Sequence, residues 1–202
     1  LQCARHGSFV AGVQCFDNAV FQVSVAEASA MDPQQRLLLE LGYTAVHGAS
    51  YRRTTLLGSD GGTFLGTESA EWVTGAPLST HESVYAGMGG DVAVAAGRLP
   101  FVLGMQGPTA TVDTACSAAL SAMHFAASAL QLSECVYTVV LSVSLKLTPL
   151  STLFTAGAGM LSLDGRCKTF DVRANGYARG EGCGTCVLRS EHGGGSSSLC
   201  AS

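Results

Sequence analysis

Charge is scarce in this sequence. Only 13% of its 202 residues are Asp, Glu, Lys or Arg, against 47% hydrophobic residues. No run of basic residues exceeds the pair Arg52-Arg53, and the net charge is −4. A nucleic-acid partner demands a basic patch that neutralises phosphates, so that class is excluded. Long apolar runs are missing as well. None reaches the roughly 18–20 residues that cross a bilayer as a helix. The stretch from Leu1 to Gly12 carries neither the basic region nor the apolar region of a secretory signal. The expected setting is intracellular and cytoplasmic, with no organelle indicated.

Paired metal-ligand spacing is also scarce. The eight cysteines are scattered through apolar segments of a chain too large to need disulfide staples. Cys183-Gly-Thr-Cys186 is the one C-x-x-C. On a strand, positions three apart face opposite sides of the sheet and cannot share a metal. Both are read as small core residues.

What the sequence does hold is the pattern of a layered α/β protein. Asp32 is a good N-cap and Pro33 falls at the first helical position, so a helix runs through Gln34 to Leu41. Arg36 and Glu40 lie four apart on it, the spacing of a surface pair. Thr63 to Gly66 reads as a short strand, residues 75–90 as a loop, and Val92 to Leu99 as a helix. A strand then runs to Thr114. The helix after Cys116 is apolar almost all round, from Ala118 to Leu130, as in a helix buried in mid-layer. The β-branched run Val136 to Val143 reads as a strand covered on both faces. Strand, helix, strand in that order is a βαβ unit.

Cys116 stands where the first strand of that unit turns into the helix. The free N–H groups and positive dipole of a helix start favour a thiolate. A thiolate on a rigid strand-to-helix turn is a nucleophile suited to acyl chemistry. Asp113 is read as fixing the turn by hydrogen bonding. No base is in view. His124 is eight positions further along the helix, about 12 Å along the axis, and reads as a helix-surface histidine. His6, His47, His81 and His192 form no spaced cluster.

Val112-Asp-Thr-Ala-Cys116-Ser resembles the active-site motif of the β-ketoacyl synthases, in particular the ketosynthase domains of modular polyketide synthases. Four further segments resemble that family in the same order. They are Glu27-Ala28 with Met31-Asp-Pro-Gln-Gln-Arg-Leu-Leu-Leu-Glu40, Ala96-Gly-Arg-Leu99 with Gly107-Pro108, Gly159 to Asp171, and Gly176-Tyr-Ala-Arg-Gly-Glu-Gly182.

The resemblance implies a thiolase-like fold of αβαβα layers, here an incomplete fragment dominated by the N-terminal half. It implies a homodimer that meets an acyl carrier protein, with substrates on phosphopantetheine and no cofactor bound directly. Cys116 would accept the acyl chain, its backbone N–H would be an oxyanion donor, and Tyr177 would line the acyl pocket. A malonyl-type extender would then undergo decarboxylative Claisen condensation, promoted by two histidines that the family carries further downstream. Ala118 and Ala119 replace serines usual in the family, and Leu141 to Ser144 replaces a glycine-rich strand end.

The expected organisation is a divergent segment over 1–15, a partial ketosynthase domain over 16–188 and a flexible Gly/Ser-rich tail over 189–202. Phe170-Asp171 and Arg179-Gly180-Glu181 are read as one structural network beneath the site. Two other readings stay open: a non-catalytic ketosynthase relic that only dimerises, and another thiolase-fold acyltransferase.

Overall fold

The computed structural model describes residues 5–68, 71–190 and 197–201. A two-residue strand, β1 (Gly7–Ser8), comes first, followed by α1 (Val25–Ala30) with Ser24 as its cap. Asp32 caps α2 (Pro33–Gly48), its carboxylate accepting the Gln34 N–H at 2.8 Å. Pro33, which lacks an N–H, takes the first helical position where none is required. Arg36 is drawn inward from the expected surface pair: burial lowers its pKa, while Asp32 and Glu40 oppose that shift. A single turn, α3 (Arg53–Leu56), leads into β2 (Gly61–Thr67), which is buried along its whole length.

The stretch read as a loop contains short helices. They are α4 (Trp72–Gly75), α5 (Leu78–His81) and α6 (Ala86–Gly89). One turn is too short for apolar periodicity to register. Next, α7 (Val92–Leu103) begins at an Asp91 cap and stops at Gly104, whose left-handed φ of 71° is costly for a side-chain-bearing residue. The chain continues through β3 (Thr109–Val112), a 3-10 turn over Ala115–Ser117, α8 (Ala118–Gln131), β4 (Tyr137–Ser144) and α9 (Pro149–Gly157). It ends with β5 (Arg179–Gly180), β6 (Gly182–Ser190) and β7 (Ser197–Ala201).

Five strands form the main sheet in the order β3-β2-β4-β6-β7. The first three are parallel, β6 runs antiparallel to β4, and β7 runs antiparallel to β6. On one face α2 and α7 bring Leu38, Leu39, Leu99 and Leu103 against Leu65, Val139, Leu141 and Val143. On the other, α8 brings Ala122, Ala126 and Ala129 against Phe64, Val140 and Cys186. Cys183 packs with the first group and Cys186 with the second, as strand alternation requires.

Two expectations need correction, and one is met on one side. Among the described residues α8 is covered by the main sheet on one side, with Leu120 71% and Phe125 50% exposed on the other. The tail is not uniformly flexible: Ser197–Ala201 is a strand on the outer edge of β6, where unpaired backbone groups give it partners. Residues 191–196 lie outside the described residues. The N-terminal segment is sewn into the domain. β1 pairs with β5, and the Glu181 carboxylate accepts the N–H groups of Val10 at 2.9 Å and Lys146 at 2.8 Å.

Candidate active site

The site is built at one edge of the sheet. β3 ends at Val112, and the chain turns through Asp113 and Thr114 into the 3-10 turn that holds Cys116. Asp113 accepts the Ala115 N–H at 2.9 Å, the turn-fixing role read from the sequence. Thr114 Oγ1 lies 2.9 Å from both Ser117 Oγ and Ser121 Oγ, and Ser117 Oγ also donates to the Thr114 carbonyl at 2.8 Å. These bonds lash the turn to the first turns of α8. Ala115 adopts a left-handed φ of 53°, a conformation uncommon for a residue with a Cβ. The turn therefore carries local strain immediately before the thiol.

Close packing fixes where this turn sits. A Cβ placed on Gly66 of β2 would fall 2.6 Å from the Ala119 nitrogen, so only glycine lets α8 start so near the sheet. Cys116 is exposed, as are Cys15 and Cys167. Cys135, Cys183 and Cys186 differ. Cys135 and Cys186 are buried, and burial raises both thiol pKa values. Burial pushes Cys183 up to about 12. Beside the start of α8, a mostly apolar groove of about 280 Å³ is lined by Ala119, Leu120, Met123, Val140 and Ser142, with β6 on its far side.

The Tyr177 backbone brackets Leu161, accepting from Ser162 and donating to Met160, and its side chain is 41% exposed. No hydrogen bond among the described residues joins it to the Cys116 turn. The single network expected of Phe170-Asp171 and Arg179-Gly180-Glu181 divides in two. Arg179 donates to Ser151 and Thr155, and Glu181 binds backbone as above. Phe170 is fully exposed, and Asp171 pairs with Arg173 two residues on. His124 is exposed on α8 with its ring against Phe125, as a surface histidine should be. Sequence reasoning missed Glu68 and Lys146, whose side chains meet at 3.3 Å beside the ends of β2 and β4. They are 78 positions apart, and only strand register brings them together.

A sheet with helices on both faces and a cysteine at a strand-to-helix turn is shared with the ketosynthase domains of thiolase-like fold. The ketosynthase from module 6 of the bacillaene synthase of Bacillus subtilis superposes with a TM-score of 0.81 at 39% identity, over 91% of this chain and 31% of that one. An oxazolomycin ketosynthase domain from Streptomyces albus gives 0.84 at 30% identity, over 92% and 33%. The model of the β-ketoacyl synthase N-terminal domain matches residues 2–193, and the chain belongs to that family, in its polyketide synthase branch. That match extends past both ends of the 16–188 span read from the sequence. The non-reducing polyketide synthase adrD of Penicillium rubens is 42% identical over 185 residues, and polyketide synthase GfsA of Streptomyces halstedii 41%. Each alignment covers 91% of this chain but only 7% and 2% of those proteins.

Proposed function

We propose that Cys116 accepts an acyl chain from the phosphopantetheine thioester of an acyl carrier protein, as the first half-reaction of a β-ketoacyl condensation. The observation that carries this reading is an exposed thiol on a strained turn at the start of α8. Thiolate attack on the thioester carbonyl forms the acyl–sulfur bond and releases the carrier thiol. The Cys116 N–H is assigned to the oxyanion of the tetrahedral intermediate. In the second half-reaction a malonyl-type extender loses CO2, and its enolate carbon displaces Cys116. In this reading the step uses the two histidines that the family carries further downstream; no histidine among the described residues hydrogen-bonds to the Cys116 turn. Homodimer formation fits the open edge of β3, which among the described strands pairs with β2 alone. Tyr177 is kept as a wall of the acyl pocket.

The test is acylation of the full 202-residue chain with the N-acetylcysteamine thioester of butanoate, read by peptide mass mapping. The expected product is a single adduct on Cys116, with no condensation product when malonyl thioester is added. Equal labelling of Cys15 and Cys167, the other exposed described cysteines, would sink the acyl-acceptor assignment.

A further inference from the structure

Three parallel strands end together at the edge that carries Cys116. β3 leads to Cys116, β2 leads to Glu68 and β4 leads to Lys146. The registers Gly66 to Val112 and Gly66 to Ser142 keep those ends level. In open α/β sheets, ligands bind in the crevice beyond the carboxyl ends of the strands. The face matters as much as the edge. Val140 and Ser142 of β4 line the groove along α8, and alternation puts Ser144 on the same face. The Lys146 ammonium donates to Ser144 Oγ at 2.7 Å and to Glu68 Oε2 at 3.3 Å. The pair therefore stands on the α8 side of the sheet, at the end where α8 begins. Glu68 follows Gly66, the residue on which the first turn of α8 rests, by two positions.

The pair leaves one Lys146 donor over. An ammonium has three N–H donors. Two go to Ser144 and Glu68, and no third acceptor is present among the described residues. The Lys146 side chain is only 10% exposed, whereas that of Glu68 is 47% exposed. The neighbouring acids take their hydrogen bonds from other donors, although the Lys146 charge is among the causes that lower the Glu71 pKa. Glu71 accepts from the N–H and hydroxyl of Thr148, and Glu181 from the backbone of Val10 and Lys146.

We infer that Lys146 and Glu68 form a polar wall of the Cys116 site that selects acyl groups bearing an oxygen near the thioester over saturated chains. The inference rests on Cys116 being the acyl acceptor. A hydroxyl or keto oxygen accepts the remaining Lys146 N–H. A hydrocarbon chain laid over the pair strips water from the carboxylate and from that N–H without replacing it, which is unfavourable.

The test compares acylation of Cys116 by the N-acetylcysteamine thioesters of 3-hydroxybutanoate and butanoate, on the full chain. One hydrogen bond's worth of discrimination is about fivefold in favour of the hydroxyacyl group. The double variant Lys146→Leu with Glu68→Leu brings the rate ratio to about one. Glu68→Leu alone, at a half-exposed position that tolerates change, lowers the ratio part of the way. A ratio near one in the wild type, or an unchanged ratio in either variant, overturns the inference while leaving Cys116 as acceptor. Failure of both thioesters to label Cys116 overturns the acceptor assignment and the wall with it.

Discussion

The two faces of the sheet are built differently. On the α2 and α7 side the contacts are large: Leu38, Leu39, Leu99, Leu103 and Leu141 are all at most 2% exposed. On the α8 side the helix contributes mainly alanines, and its outer surface leaves Leu120 and Phe125 open. Buried apolar area, and hence stability, is concentrated on the first face. The second face sacrifices side-chain volume for closeness. Small residues and Gly66 bring the start of α8 onto the sheet, and that proximity holds the Cys116 turn in place. One face anchors the fold, and the other positions the thiol.

The strongest way to break this comparison is to cut into the anchoring face. Leu141 is fully buried at the centre of the sheet, between β2 and β6. Leu141→Ala removes three carbons and leaves a cavity, a change that costs about 3 kcal/mol. Urea denaturation measures it. A loss below about 1 kcal/mol would mean that the anchoring face is no tighter than the α8 face.

A second test uses alkaline pH. Burial raises the pKa of Cys183, which packs with the anchoring cluster, to about 12 and also raises those of Tyr51 and Tyr137. For each group the fold holds its proton more tightly than the unfolded chain does. The contribution is complete below the unfolded pKa, near 9 for a thiol, and is lost as pH rises toward 12. Across that window each such group lowers stability by up to about 1.4 kcal/mol per pH unit. Denaturation midpoints should fall from pH 9 upward, and Cys183→Ala should make the fall shallower. An identical slope in the variant would show that Cys183 is not held in the anchoring core.

Much of the anchoring face was legible because its elements are long and their patterns local. The Asp32-Pro33 cap, the β-branched run of β4 and the Cys183/Cys186 alternation needed no knowledge of partners. The site was legible as far as Cys116 and Asp113, which lie in one short motif. Lys146 and Glu68 were not, because β2 and β4 become neighbours only through parallel pairing. The uniform apolarity of α8 was legible as a demand for cover on every side. It carries no information about which surface supplies that cover, and among the described residues only the sheet does. The strand at Ser197–Ala201 was hidden by polar, small-residue composition, since edge pairing uses backbone groups that every residue carries.

The smallest expected effect sharpens the comparison from the other side. Phe125 is half exposed on α8, and its ring lies edge-on to that of His124 with centroids 5.8 Å apart. Phe125→Ser removes only the buried half of the side chain, so stability should fall by no more than about 1 kcal/mol. The same substitution reduces exposed apolar surface, so light scattering at high concentration should decrease. These two readouts distinguish a bare face from a packed one. Loss of more than about 2 kcal/mol in denaturation would place Phe125 inside a core, as large aromatic truncations there are costly. The α8 side would then contribute to anchoring, and the division of labour between the faces would fail.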